Sequence, residues 1–116
     1  MKVQINTGHG IISVRLLGEL DHHNAEKIRN LIEDKINEKG IYHLIIDLSQ
    51  LDFMDSSGIG LLMGRYKLVA PLGGSVSVIV GKGNIERIVK MSGLERFIGI
   101  FKTKDEAFEK VSGGKR

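Results

Sequence analysis

At 116 residues the chain has the length of one domain. Its residues are 41% hydrophobic and 5% aromatic, with no Trp, so the core they support is aliphatic. The absence of cysteine excludes disulfides and thiolate metal sites. Of the net charge of +3, +2 falls in residues 102–116, so the rest of the chain is nearly neutral. That distribution argues against a nucleic-acid surface.

Val3 and Ile5 alternate with polar residues and predict a short first strand. Thr7-Gly8-His9-Gly10 reads as a turn, and residues 11–17 as its antiparallel partner, with Ile12, Val14 and Leu16 on one side. Asp21 is placed to cap a long helix running to Lys39. Ala25, Ile28, Leu31, Ile32 and Ile36 form its inward stripe, and Gly40 ends it. Along this helix Lys27, Arg29, Lys35 and Lys39 interleave with Glu26, Glu33, Asp34 and Glu38, a mixed solvated face.

The unbroken apolar run inside residues 43–48 predicts a central strand covered on both faces. A second helix over about 57–70 is expected to bury Ile59, Leu62, Met63, Tyr66 and Val69, and Pro71 prevents its continuation. A fourth strand spans 75–80. Residues 81–84 form a loop, with Asn84 as cap of a short helix to Met91, and Ser92-Gly93 ends that helix. Residues 97–101 make a fifth strand. Residues 104–112 make a last helix, with Ala107, Phe108 and Val111 inward, and 113–116 a flexible tail. The order β-β-α-β-α-β-α-β-α implies an α/β fold: one domain over 1–112, with a mixed, mostly parallel sheet of five strands and four helices. No apolar run approaches the roughly 20 residues of a membrane span, and Met1 to Gln4 open no signal peptide. A cytoplasmic location is the expectation.

The chemistry concentrates at Met54-Asp55-Ser56-Ser57-Gly58-Ile59-Gly60, where the second helix begins. A helix start has unpaired N–H groups and a positive dipole end. Three readings are open: a simple cap, a serine that accepts phosphate, or an anion or nucleotide site. A serine hydrolase does not fit, since no glycine precedes the serines as a nucleophile elbow needs. Gly58-x-Gly60 and Gly81-x-Gly83 lack the third glycine of a dinucleotide fingerprint, because Met63 and Glu86 stand there. His22 and His23 are adjacent on a helix and do not share a face, so they chelate poorly, and His9 and His43 lie elsewhere. Neither metal nor cofactor is expected.

Three stretches carry a resemblance: Leu17-Gly18-Glu19-Leu20-Asp21, Leu44-Ile45-Ile46-Asp47-Leu48, and Phe53-Met54-Asp55-Ser56-Ser57-Gly58-Ile59-Gly60. With them, residues 1–112 resemble the STAS domain family, the sulfate-transporter and anti-sigma factor antagonist domains. Asp21-His22-His23, Met63-Gly64-Arg65-Tyr66-Lys67 and Met91-Ser92-Gly93-Leu94 bring the chain near the sporulation antagonists within it. The resemblance implies a non-enzymatic phosphoprotein that works by partner switching in transcription regulation. Unphosphorylated, it would bind an anti-sigma factor serine kinase with its bound adenine nucleotide and so release the sigma factor. Phosphorylation would inactivate it, and a serine phosphatase would restore it. Carried over to this sequence, the acceptor is Ser56. Asp21, Asp55, Ser57, Gly58, Ile59 and Gly60 frame the contact, Ile59 as either core or apolar contact. No nucleic acid, membrane or cofactor is implied. The alternative is a small-molecule or nucleotide-binding STAS module of another stress-response pathway.

Overall fold

A computed structural model describes residues 1–81 and 83–114. Strand β1 (Lys2–Gly8) turns at His9 and Gly10 into β2 (Ile11–Leu20). Helix α1 (His22–Lys39) leads to β3 (His43–Met54), and α2 (Ser56–Val69) follows one residue later. A 3-10 turn (Ala70–Leu72) with Pro71 in its first positions stops α2. Then come β4 (Ser75–Ile79), α3 (Asn84–Met91), a second 3-10 turn (Leu94–Arg96), β5 (Gly99–Phe101) and α4 (Lys104–Gly114). The five strands lie in the order β1-β2-β3-β4-β5. Only the first pair is antiparallel. The α/β architecture, the antiparallel hairpin and the central third strand follow the expectation.

Alternation along the strands sorts the core into two layers. On one face Ile12, Val14 and Leu16 of β2, Leu44, Ile46 and Leu48 of β3, and Val76 and Val78 of β4 pack under α1, α2 and α3. On the other, Ile11, Ile45 and Ile79 meet Ala107 and Val111 of α4. This two-sided cover explains why residues 44–48 are all buried.

Several boundaries and faces differ from expectation. In α1, Ile28, Ile32 and Ile36 are buried, while Leu31 is 45% exposed. That four-residue row faces the sheet with Ala25 half-buried beside it, and Leu31 lies off it. In α2 the buried set is Gly58, Leu61, Leu62, Arg65 and Val69. Ile59, Met63 and Tyr66 are only half-buried against the core. Helix α2 is apolar around most of its circumference, so its pattern did not single out the buried face. Asn84 is not a cap: Gly83 holds that position, without a side-chain hydrogen bond. Strand β5 is shorter than expected, because Phe97 closes the preceding 3-10 turn. Helix α4 runs to Gly114, into the segment expected as a tail. Lys82 of the 81–84 loop and Lys115 and Arg116 of the tail lie outside the described residues.

Candidate functional site

The two polar loops of interest are brought side by side by the sheet. The parallel β2–β3 ladder shifts register between Arg15 and Leu17 and again between Gly18 and Glu19, then ends with Leu20 opposite Met54. The Asp55 backbone N–H donates to the Leu20 carbonyl at 3.3 Å. The starts of α1 and α2 are therefore neighbours, each headed by an aspartate in extended backbone.

Both aspartates cap their helices. Asp21 Oδ1 accepts from the Asn24 N–H at 2.9 Å, and Asp55 Oδ1 accepts from the Ser57 N–H at 2.8 Å. Carboxylates suit this place, where orphan N–H groups and the dipole favour negative charge. Asn24 ties the first loop down further, donating from Nδ2 to the Glu19 carbonyl at 2.8 Å.

Because Asp55 supplies the cap, neither serine hydroxyl has to. Ser56 is the first residue of α2 and is exposed. Its hydroxyl takes part in no hydrogen bond among the described residues. Ser57 is half-buried and spends its backbone N–H on Asp55. Gly58 is buried, and a Cβ there would fall 2.6 Å from Met54 Sδ and 3.0 Å from Leu20 Cδ2. Only glycine lets the first turn of α2 settle onto the strand ends. Ile59 is half-buried against the core, and Gly60 is exposed with open space around it. Asp21, Asp55, Ser56, Ser57, Gly58, Ile59 and Gly60 thus belong to one end of the molecule. Phe53, 46% exposed, stands two residues before Asp55 as an apolar neighbour that the sequence reading had not selected.

A groove of about 520 Å³ runs from Ser57 along the junction of α1 and α2, with Arg29, Gly64 and Arg65 farther along its walls. Arg65 is 6% exposed. Its Nη2 donates to Glu33 Oε2 at 2.9 Å across the helix pair. Burial pulls the guanidinium pKa below its ordinary value; Glu33 pushes it up and Arg29 pulls it down. The sequence reading missed this residue. The signal was the position of Arg65 between Leu62 and Val69 at spacings of three and four.

The histidines do not converge. His22 and His23 are exposed on α1, His9 is in the first turn, and His43 Nδ1 lies 2.9 Å from Ser75 Oγ at the start of β3. Among the described residues no three His, Cys, Asp or Glu side chains are grouped to hold a metal ion, and no helix is long and apolar enough to cross a membrane.

Fold and site together define a STAS domain. The model of that family matches residues 2–107, and the chain belongs to it. The chain is 39% identical to the anti-sigma F factor antagonist of Paenibacillus polymyxa, across 87% of this chain and 88% of that protein. It is 29% identical to the anti-sigma-B factor antagonist of Bacillus subtilis, across 86% of this chain and 90% of the relative. The structure of the anti-sigma factor antagonist SpoIIAA in its unphosphorylated form superposes with a TM-score of 0.82 at 31% identity, covering 97% of each chain. SpoIIAA of Bacillus in the phosphorylated form gives 0.73 at 31% identity, covering 95% of this chain and 99% of that one. Anti-sigma factor antagonists of this family are regulatory binding proteins and not enzymes.

Proposed function

We propose that this protein is an anti-sigma factor antagonist switched by phosphorylation of Ser56. The observation that carries the reading is the exposed Ser56 hydroxyl at the start of α2, left free because Asp55 does the capping. The names of its relatives support an anti-sigma factor as the partner; in this reading the unphosphorylated protein binds an anti-sigma factor that is a serine kinase with bound adenine nucleotide. Binding releases a sigma factor for sporulation transcription in the cytoplasm. The kinase then modifies Ser56, the complex parts, and a serine phosphatase resets it. Asp21, Asp55, Ser57, Gly58, Ile59 and Gly60 form the contact surface around the acceptor.

Electrostatics is sufficient for such a switch. A phosphoserine carries about −1.5 to −2 charges. At the start of α2 the dipole and free N–H groups accommodate it, so the fold need not change. The neighbouring Asp55 carboxylate repels it. A partner covering the site would have to strip water from that dianion, at a cost of several kcal/mol if it is unpaired. About 1.4 kcal/mol already lowers affinity tenfold.

The test is intact mass with site mapping after incubation with ATP and the anti-sigma factor kinase encoded by the same genome. One phosphate on Ser56, absent in Ser56→Ala, is the expected result. An unmodified chain, alongside a known substrate that the same kinase labels, refutes the reading.

A further inference from the structure

A sheet edge carries a row of unpaired N–H and C=O groups, and folded proteins defend it with charges, prolines, bulges or short length. One edge of this sheet is short, since β5 has three residues. The other, β1, has seven residues, no Pro and a single charge, Lys2, at its very start. Its ladder with β2 runs without a bulge, and among the described residues no strand lies beyond it. His9 and Gly10 both have positive φ, 55° and 75°, the type I′ form of a two-residue hairpin. In such a hairpin the flanking residues, here Gly8 and Ile11, exchange both of their backbone hydrogen bonds. Alternation then turns the backbone groups of Lys2, Gln4 and Asn6 towards β2, and the Ser13 hydroxyl donates to the Asn6 carbonyl at 3.4 Å on that side. The backbone N–H and C=O groups of Val3, Ile5 and Thr7 point out of the edge. A second, independent feature lies above the same edge. On α1, Ile28, Ile32 and Ile36 face the sheet, and Ala25, Glu26 and Arg29 face α2. At about 100° per residue Leu31 falls on the flank opposite α2. Helix α1 lies over β2 and α2 over β4, so that flank looks over β1. Leu31 is 45% exposed, and Val3 and Ile5 are half-buried on the same face of the sheet.

We propose that β1 docks against β1 of a second copy of this chain, the two strands antiparallel about a two-fold axis through Ile5. In this register Ile5 faces its own copy, Val3 faces Thr7, Gln4 faces Asn6 and Lys2 faces Gly8. Val3, Ile5 and Thr7 then exchange all of their outward backbone hydrogen bonds. The match of the strand to itself selects this occupant. Its one charge meets a glycine and not its own copy, so no like charges oppose each other. Gln4 and Asn6 bring amides that hydrogen-bond across the pair. Val3 and Ile5 extend the aliphatic layer under the helices from one copy into the next, and the Leu31 flanks of the two α1 helices approach over the axis. Lys35 on that flank is already matched by Glu38 at 3.0 Å. The pairing consumes β1 in both copies and leaves only the short β5 as an edge, so assembly closes at two. Strand direction reverses across the axis, so the two Ser56 hydroxyls lie at opposite ends of the dimer, clear of the contact.

Sedimentation of the full chain over rising concentration reads this directly. The 12.8 kDa species should give way to one of twice that mass below roughly 1 mM protein. Over the same range, hydrogen exchange at the Val3, Ile5 and Thr7 amides should slow tenfold or more. Gln4→Glu combined with Asn6→Glu sets carboxylates against each other across the axis. Both positions are exposed, and Arg15 stands opposite Gln4 within the chain. The double variant should dimerise at least tenfold more weakly, with the melting temperature of the dilute chain unchanged. Thr7→Pro removes one outward N–H at an exposed edge position and should weaken the dimer as much. Should either variant fail to fold, the other and the exchange measurement on the parent decide. A parent that stays at 12.8 kDa overturns the proposal. So does a dimer that both variants leave within twofold of the parent, which places the contact elsewhere, and so do species larger than two. Protection of the Val3, Ile5 and Thr7 amides that appears only when the anti-sigma factor is added assigns the edge to a strand of that protein and also overturns it.

Discussion

Two glycines only two residues apart should respond to alanine with opposite signs. At Gly58 the new methyl would lie 2.6 Å from Met54 Sδ and 3.0 Å from Leu20 Cδ2, with Met54 Cγ nearer still. Met54 and Leu20 are 2% and 0% exposed, so neither can move aside into solvent. Overpacking of this kind costs about 1–3 kcal/mol. The better helix propensity of alanine returns up to about 1 kcal/mol. Gly58→Ala should therefore lose about 1–2 kcal/mol. Gly60→Ala meets nothing within 4 Å and should gain up to about 1 kcal/mol, partly by restricting the unfolded chain. The variants would then lie roughly 2–3 kcal/mol apart, on the order of 10 °C in melting temperature for a domain of this size. Urea titrations followed by circular dichroism measure this directly, provided that the slopes agree. Equal stabilities, or Gly60→Ala below the parent, would refute the close fit between α2 and the strand ends.

Asp21→Ala should cost about 1 kcal/mol in the same titration, because the Asn24 N–H loses its acceptor at the start of α1. Ser56→Asp should bind the anti-sigma factor at least tenfold more weakly, with its melting temperature little changed; undiminished affinity would discard the charge argument. Glu86 gives a pH signature. Its carboxylate lies 3.2 Å from Lys90 Nζ and 3.6 Å from Lys102 Nζ, and the hydrogen bond from Lys90 is the main cause that holds its pKa below the ordinary 4.5. A depressed folded pKa stabilises the protein above about pH 4.5, and that increment is lost as pH falls through the folded value. The stability difference between the parent and Glu86→Gln should shrink over that acid range and stay level above it; a difference independent of pH would exclude the linkage.

Where chemistry is local, the sequence is easily read. Asp21 and Gly40 end α1 as expected because cap preference depends on a few adjacent atoms. The run Leu44-Ile45-Ile46 marks the central strand because only a strand covered on both faces needs apolar residues in direct succession. Contacts between elements were less legible. Helix α2 has apolar side chains on several sides, so the burial of Leu61 and Arg65 and the half-exposure of Ile59, Met63 and Tyr66 depend on how α1 lies beside it. At the candidate site the motif was visible, but its division of labour was not. Which of three polar side chains caps α2 is a matter of angles, and the choice of Asp55 is what frees the Ser56 hydroxyl. The pairing of Arg65 with Glu33 joins residues on different helices, beyond the reach of periodicity.

The sheet order also bears on how the chain is made. Each strand lies beside the one that precedes it in sequence, with no later strand inserted between earlier ones. A nascent chain leaving the ribosome can therefore lay down its sheet from one edge to the other, each new strand finding a waiting neighbour. Parallel sheets ordinarily fold slowly, because distant segments must meet before any contact rewards them. Here every pairing closes only one short crossover or turn, so little unpaired strand edge is left waiting during synthesis. The growing edge always belongs to the newest strand, and the short β5 and α4 complete the assembly last.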